Sequence, residues 1–372
     1  MLKSLNVSLI MIEPSLIFCM LSPTNKLLAL KNGFVPSKVE GFNDVISLAV
    51  LEDDFKILEK EETIEKLLSS GFQIFRTRKW SNTSEKSSDH FNFKSDSLDP
   101  FYTSHYLIYQ YHLIFHIIIL YRRGTFLWHA GLFKDDLGFK DLLFVQAGAY
   151  ENFTAVPLKS DQELGIYLPS DPFQFLLQLQ NAEFRECLPH FLNLFPLSSA
   201  PIHPLLTDEQ LQLRVLIIIQ ELKTRLWPYN VSFWIWSKTL LGWYYKCNIF
   251  EYTKRLHLAF PSDINTANLI PIFSNNEYWT LDEIIELDGQ YLELRLDCHS
   301  LKIHVYIIHK EDNNIWYQIN DQGQNKAIRY MSPKCDLCST DLYGQKIHVP
   351  CEPKGILDAE LVSNGTSLTT SE

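Results

Sequence analysis

The chain has 372 residues, long enough for two domains that each bury a real core. Hydrophobic residues make up 46% and aromatics 13%, which excludes a disordered chain. A formal net charge of −11 with no dense basic patch argues against nucleic acid as a partner.

From the N-terminus, Leu5 to Leu21 is apolar but broken by Glu13-Pro14, and it lacks a basic flank and a cleavage site. It does not read as a signal or an anchor. Phe42 to Ser70 carries a helical signal, with Ile64, Leu67 and Leu68 as its apolar stripe and acidic residues opposite. Asn82 to Asp99, rich in Ser and Asp, reads as a loop. The apolar run Tyr106 to Leu120 is short for a membrane span and contains Gln110, His112 and His116, so it reads as a buried strand or strand pair. Phe126 to Ala130 follows across the Arg122–Thr125 turn, which suggests a hairpin. Asp171-Pro172 opens a helix through Gln180.

The first unit extends to about residue 200, and Pro196 to Pro204 reads as a linker. Thr207 as N-cap with Gln210 at N3 starts a helix through Leu226, with Leu213, Leu216, Ile217 and Leu222 on its buried side. Ile303 to Ile308 is a strong strand and Trp316 to Ile319 its partner. Past Cys351 the chain turns polar, and a disordered tail is expected over 356–372.

Seven cysteines leave at least one thiol unpaired if disulfides form. Cys335, Cys338, His348 and Cys351 have the ligand types of a zinc knuckle, but packing or a disulfide explains them as well. Sequons at Asn6, Asn82, Asn152, Asn230 and Asn364 permit a secretory compartment without proving one.

The segment Phe233 to Ala259 holds the chemistry. It reads as strand, tight turn, helix and second strand, the frame of a nucleotidyltransferase site. Ser237, Thr239 and Gly242 would set backbone N–H groups where a nucleotide phosphate could sit. Such a site then needs two carboxylates at i and i+2 on the second strand, on one face, to hold Mg²⁺. Here those positions are Arg255 and His257.

This segment resembles the fukutin-like family, which transfers ribitol-phosphate or phosphocholine from a CDP-activated donor. Further matches run in order along the chain: Ile12-Glu13-Pro14, Tyr121 to His129, Pro169 to Pro172 and Phe184 to Cys187 in the first half. Leu292-Glu293-Leu294, Lys302 to Val305, Cys338 and His348 to Cys351 follow in the second. The resemblance implies an α/β (α+β) chain: an N-terminal mixed α/β domain over 1–200, then a nucleotidyltransferase-like domain over 205–355 with a mixed sheet flanked by helices. It also implies a Golgi or secretory location, and a further aromatic, basic segment after the part matched here.

Five positions depart from the family pattern. Lys238 stands for a Gly, Tyr245 for an Arg, and Arg255, His257 and His304 for three Asp residues. An Arg in place of an Asp turns an attraction for Mg²⁺ into a repulsion, and imidazole is a poor ligand for that ion. The expectation is a catalytically inactive chain with no cofactor, acting as a scaffold or regulator beside a related transferase or a glycoprotein acceptor. The alternatives are Mg²⁺- or Mn²⁺-dependent transfer using a displaced carboxylate such as Asp297, and a His257–His304 zinc or nucleotide site.

Overall fold

The computed structural model describes residues 7–34, 45–80, 101–110, 113–131, 144, 146–158, 165–188, 208–229, 231–249, 254–263, 266–274, 276–287, 290–298, 301–321 and 326–363. The proposed linker Pro196–Pro204, the Asn82–Asp99 loop, and the sequons other than Asn152 lie outside them. The chain is mixed α/β and divides into two units, Met1–Phe184 and Arg185–Glu372, each built on one mixed sheet flanked by helices.

In chain order the first unit contains β1 (Leu9–Met11), α1 (Pro14–Met20), α2 (Pro23–Lys31), β2 (Val45–Leu51), α3 (Glu52–Leu58), α4 (Glu61–Ser69), β3 (Gln73–Trp80) and β4 (Phe101–Gln110). There follow β5 (Leu113–Arg123), β6 (Phe126–His129), β7 (Gly148–Glu151), β8 (Ala155–Pro157), β9 (Ile166–Pro169) and α5 (Pro172–Leu179). The strands run β3-β4-β5-β2-β1-β9-β8, with β6 paired to β5 and β7 to β6. β5 lies parallel to β2, and its near-continuous apolar run suits a strand covered on both faces. The β5–β6 hairpin turns at Gly124, at φ 57°. Asp171 caps α5 by accepting from the Gln174 N–H at 3.0 Å.

Within the Phe42–Ser70 stretch the helical signal corresponds to α3 and α4, whereas Val45–Leu51 forms strand β2, because Ile46 to Val50 lacks helical periodicity and pairs with β5. In α4, Thr63 and Leu67 are buried and Leu68 is exposed.

The second unit contains α6 (Asp208–Leu226), β10 (Trp234–Ile235), α7 (Ser237–Lys246), β11 (Arg255–Pro261), α8 (Thr266–Phe273), β12 (Thr280–Leu287) and β13 (Gln290–Cys298). It continues with β14 (Leu301–Glu311), β15 (Asn314–Asp321), β16 (Lys326–Pro333), β17 (Leu337–Leu342), β18 (Gln345–Pro350) and α9 (Pro353–Ser363). The order is β12-β13-β14-β11-β10-β18-β17, with β15 on β14 and β16 on β15. In α6 the core face is Leu211, Val215, Ile218, Ile219, Leu222 and Leu226. Leu213 and Ile217 are exposed, since a helix this apolar offers several stripes and the sheet selects one. Residues 356–363, expected in a disordered tail, belong to α9, which buries Ile356 and Leu357.

The two units thread the same path. Each strand of the first has a counterpart in the second with the same neighbours and the same orientation, including parallel β2–β5 and β11–β14 and parallel β1–β9 and β10–β18. The registers coincide too. Ser47 opposes His116 as His257 opposes His304, and Tyr121 opposes Trp128 as His309 opposes Trp316. Ile166 to Pro172 and Ile347 to Pro353 enter the last helix of their units through the same Pro-x-x-Pro step.

Candidate functional site

The β10–α7 connection has a specific backbone. Ser237 sits at φ 46°, in the left-handed region that costs a non-glycine residue about 1 kcal/mol or more. The neighbouring strand holds it there: the Trp236 N–H donates to the His257 carbonyl at 2.9 Å, and the His257 N–H donates to Thr239 Oγ1 at 2.8 Å. No N-cap side chain closes the first turn of α7. Thr239 is therefore committed to β11 and fully buried, and Gly242 is packed inside.

Beside this turn lies a cavity of about 450 Å³, lined by residues of seven elements and confined to the second unit. α7 provides Ser237 and Lys238, β11 provides Arg255 and His257, and β14 provides His304 and Tyr306. Glu293 and Arg295 come from β13, Tyr317 and Tyr330 from β15 and β16, and Glu360 from α9. Of the eight positions singled out in the sequence, Ser237, Lys238, Arg255, His257 and His304 are brought together here. Thr239, Gly242 and Tyr245 are not among the lining residues.

His257 and His304 face each other on parallel strands, their rings stacked with centroids 5.1 Å apart and planes inclined by 16°. The His257 Nδ1 meets the Tyr306 hydroxyl at 3.1 Å, while its Nε2 has no hydrogen-bond partner among the described residues although the residue is 4% exposed. Burial, then the charges of His304, Lys238 and Arg255, hold this imidazole well below its usual range, so it is neutral at pH 7.

Sequence reasoning missed Glu293 as a site residue, although a charged residue between two leucines on a buried strand was its signal. It is 1% exposed and accepts from His304 Nδ1 at 2.7 Å and from Arg295 Nε at 3.0 Å. Burial raises this carboxyl, but the bonds from His304 and Arg295 outweigh it and leave it below the ordinary carboxylate range. Glu360 accepts from the Tyr317 hydroxyl at 2.5 Å. Burial outweighs its bonds to Tyr317 and Ser237 and the nearby Lys238 charge, raising its carboxyl to about 7. Lys238 and Arg255 are exposed and form no ion pair among the described residues.

The donor set does not fit a magnesium or manganese ion. Such an ion seeks free carboxylate oxygens, and Glu293 is spent on a guanidinium and an imidazole. Among the described residues no three His, Cys, Asp or Glu side chains gather to hold a metal. Asp297 does not line the cavity; its Oδ2 is 2.5 Å from Lys302 Nζ, which also reaches Asp282 at 3.1 Å. Of the two readings of the cysteine cluster, the structure has the disulfide: Cys338 and Cys351 are joined, and a disulfide-bonded cysteine offers no thiolate to a metal. A second disulfide joins Cys187 to Cys247, and Cys19, Cys298 and Cys335 are free. Among the described residues no helix is long and apolar enough to cross a membrane.

No protein-family model matches the chain. Against curated proteins it is 25% identical over 262 residues to ribitol-5-phosphate transferase FKTN of Homo sapiens, covering 66% of this chain and 54% of that protein. The counterparts of Macaca fascicularis and Mus musculus are each 24% identical over the same shares. The chain thus spans about half the length of the curated relatives it matches. This similarity relates it to the ribitol-phosphate transferase family.

Proposed function

We propose that this chain is a fukutin-like protein of nucleotidyltransferase fold whose catalytic centre is disabled. It serves as a scaffold or regulator in phosphoribitol modification of protein glycans, with a related transferase or a glycoprotein acceptor as its partner. One observation carries the reading. The three positions that resemblance assigns to metal-binding Asp meet at one cavity as Arg255, His257 and His304, and the nearest buried carboxylate, Glu293, is neutralised by Arg295 and His304. No Mg²⁺ or Mn²⁺ is required in this role.

The secretory pathway, with the Golgi as its site of action, is the compartment in this reading. Two disulfides suit an oxidising lumen, and the sequon residue Asn152 is exposed at the end of β7. The alternative, CDP-ribitol- or CDP-choline-dependent transfer through Asp297, finds less support because Lys302 holds that carboxylate.

The test is CMP release from CDP-ribitol and CDP-choline with Mg²⁺ or Mn²⁺, alongside a full-length active relative. No release above background is expected from this chain. Metal-dependent release at a rate comparable to the relative would overturn the proposal.

A further inference from the structure

The repeated fold supplies an internal comparison for the cavity. Following the strand registers, Arg255 corresponds to Val45, Arg295 to Leu107 and Tyr306 to Ile118. Lys238 corresponds to Pro14 by the same step from the strand end, and Glu360 to Leu179 by the same count from the proline that opens the helix. The first unit builds the same sheet with apolar or uncharged residues at all five places. The fold therefore does not need charge there, and the part-buried Arg295 and Glu360 are charged groups whose desolvation costs free energy. At these positions the second unit has two arginines, a lysine, a glutamate and a tyrosine around an open space.

The charges do not cancel. Glu293 is matched by Arg295 and His304, and Glu360 is hydrogen-bonded to Tyr317. Among the described residues the exposed Lys238 and Arg255 form no ion pair, although the Lys238 charge acts on nearby Glu360. The uncapped first turn of α7 adds its positive end, and the buried Nε2 of His257 adds an unsatisfied polar atom in the wall. If Tyr306 donates to Nδ1, the neutral ring carries its proton on Nε2 and offers a donor.

We propose that the cavity is a metal-independent receptor for a phosphate ester, whose oxygens are held by Lys238, Arg255, the His257 Nε2–H and the start of α7. The inference rests on the reading of a site without a divalent ion. Fixed cations would take over the neutralising role of that ion while the neutral imidazole donates a hydrogen bond, and a cavity of about 450 Å³ leaves room for an organic group on the phosphate.

The experiment is calorimetric titration of the whole chain in EDTA with pyrophosphate and with ribitol 5-phosphate, repeated with Mg²⁺. Saturable binding in EDTA is expected, weakened at least tenfold in the Lys238→Ala/Arg255→Ala double variant. Both residues are exposed, so an unchanged melting temperature and circular dichroism spectrum would show that the variant folds. Tighter binding of ribitol 5-phosphate identifies an ester on the acceptor side, and tighter binding of pyrophosphate a donor diphosphate. Binding that appears only with Mg²⁺ overturns both this inference and the disabled-site reading. No binding under either condition overturns the inference alone and leaves the scaffold reading standing. Binding in EDTA that the double variant does not weaken also overturns it.

Discussion

Glu293 and His304 are joined across the β13–β14 ladder by a 2.7 Å hydrogen bond, and their counterparts His105 and His116 in the first unit make a 2.8 Å bond in the same place. The fold has a fixed slot for a polar pair at this rung. In the second unit it holds a charged network that also includes Arg295 and Glu283, the latter 2.6 Å from Arg295. Glu293→Ala would strand Arg295 and His304 against a buried wall, and a loss of about 3 kcal/mol is expected in urea unfolding. Adding Arg295→Leu should recover part of it, since Leu107 already fills that place in the first unit. A loss below about 1 kcal/mol would remove the network from any structural role.

Glu360 gives the cavity a pH signature. Its carboxyl keeps a proton up to about 7 in the folded chain, against 4.5 as its ordinary value. The folded state thus binds the extra proton between these limits, and the stabilisation present below about 4.5 is lost as pH rises through about 7. The groups facing it are Ser237 and Lys238 on α7 and Tyr317 on β15. Glu360→Gln should gain on the wild type by up to about 3 kcal/mol between pH 5 and pH 8 in paired urea titrations. A difference that stays flat with pH would contradict this. His257 and His348, both depressed chiefly by burial, push stability the other way, and they cancel in the difference.

In the first unit the close approach of β7 to a histidine is the point most sensitive to substitution. A Cβ at Gly148 would lie 2.5 Å from His129 Nε2 and 2.9 Å from the Tyr150 hydroxyl, two groups now bonded to each other at 3.1 Å. Gly148→Ala should cost about 1–3 kcal/mol and lower the melting temperature. His129 is fully buried, and burial pulls it down to about 4, so its neutral form supports the fold above pH 6.5 and that support fades as pH falls toward 4. Weakening the site should raise the pH of acid unfolding, read by far-ultraviolet circular dichroism.

Two disulfides support the second unit, and reagents can tell them from a zinc site. Cys187–Cys247 spans 60 residues and Cys338–Cys351 spans 13. On chain-entropy grounds they contribute about 4 and about 3 kcal/mol. Dithiothreitol should lower the unfolding midpoint of the second unit sharply, whereas phenanthroline should leave it unchanged. A chelator-sensitive midpoint would reinstate zinc at Cys335, Cys338, His348 and Cys351.

Strongly patterned elements could be read from the sequence alone. The Phe126–His129 hairpin arm, the Asp171-capped helix and strand β14 each have a local cause: a turn, a cap, or a long apolar run. Strand β2 did not show itself, because Ile46 to Val50 is apolar without alternation and acidic helices follow directly. At the cavity, residues close together in sequence or bound to a motif could be picked out. Glu293, Arg295, Tyr306 and Glu360 could not, because they reach one space from three separate elements through strand pairing and helix docking. The repeated topology was equally hidden: it survives in register and hydrogen bonding, while few identities such as Trp128 with Trp316 persist.

Glu360 lies on α9, the last helix described, and forms part of the cavity wall. During synthesis the first unit's sheet can complete as soon as Phe184 has emerged, whereas the cavity gains its final wall only after Glu360 has left the ribosome. A nascent chain stalled in β18 would therefore hold every strand of the first unit yet still lack the Glu360 wall of the cavity.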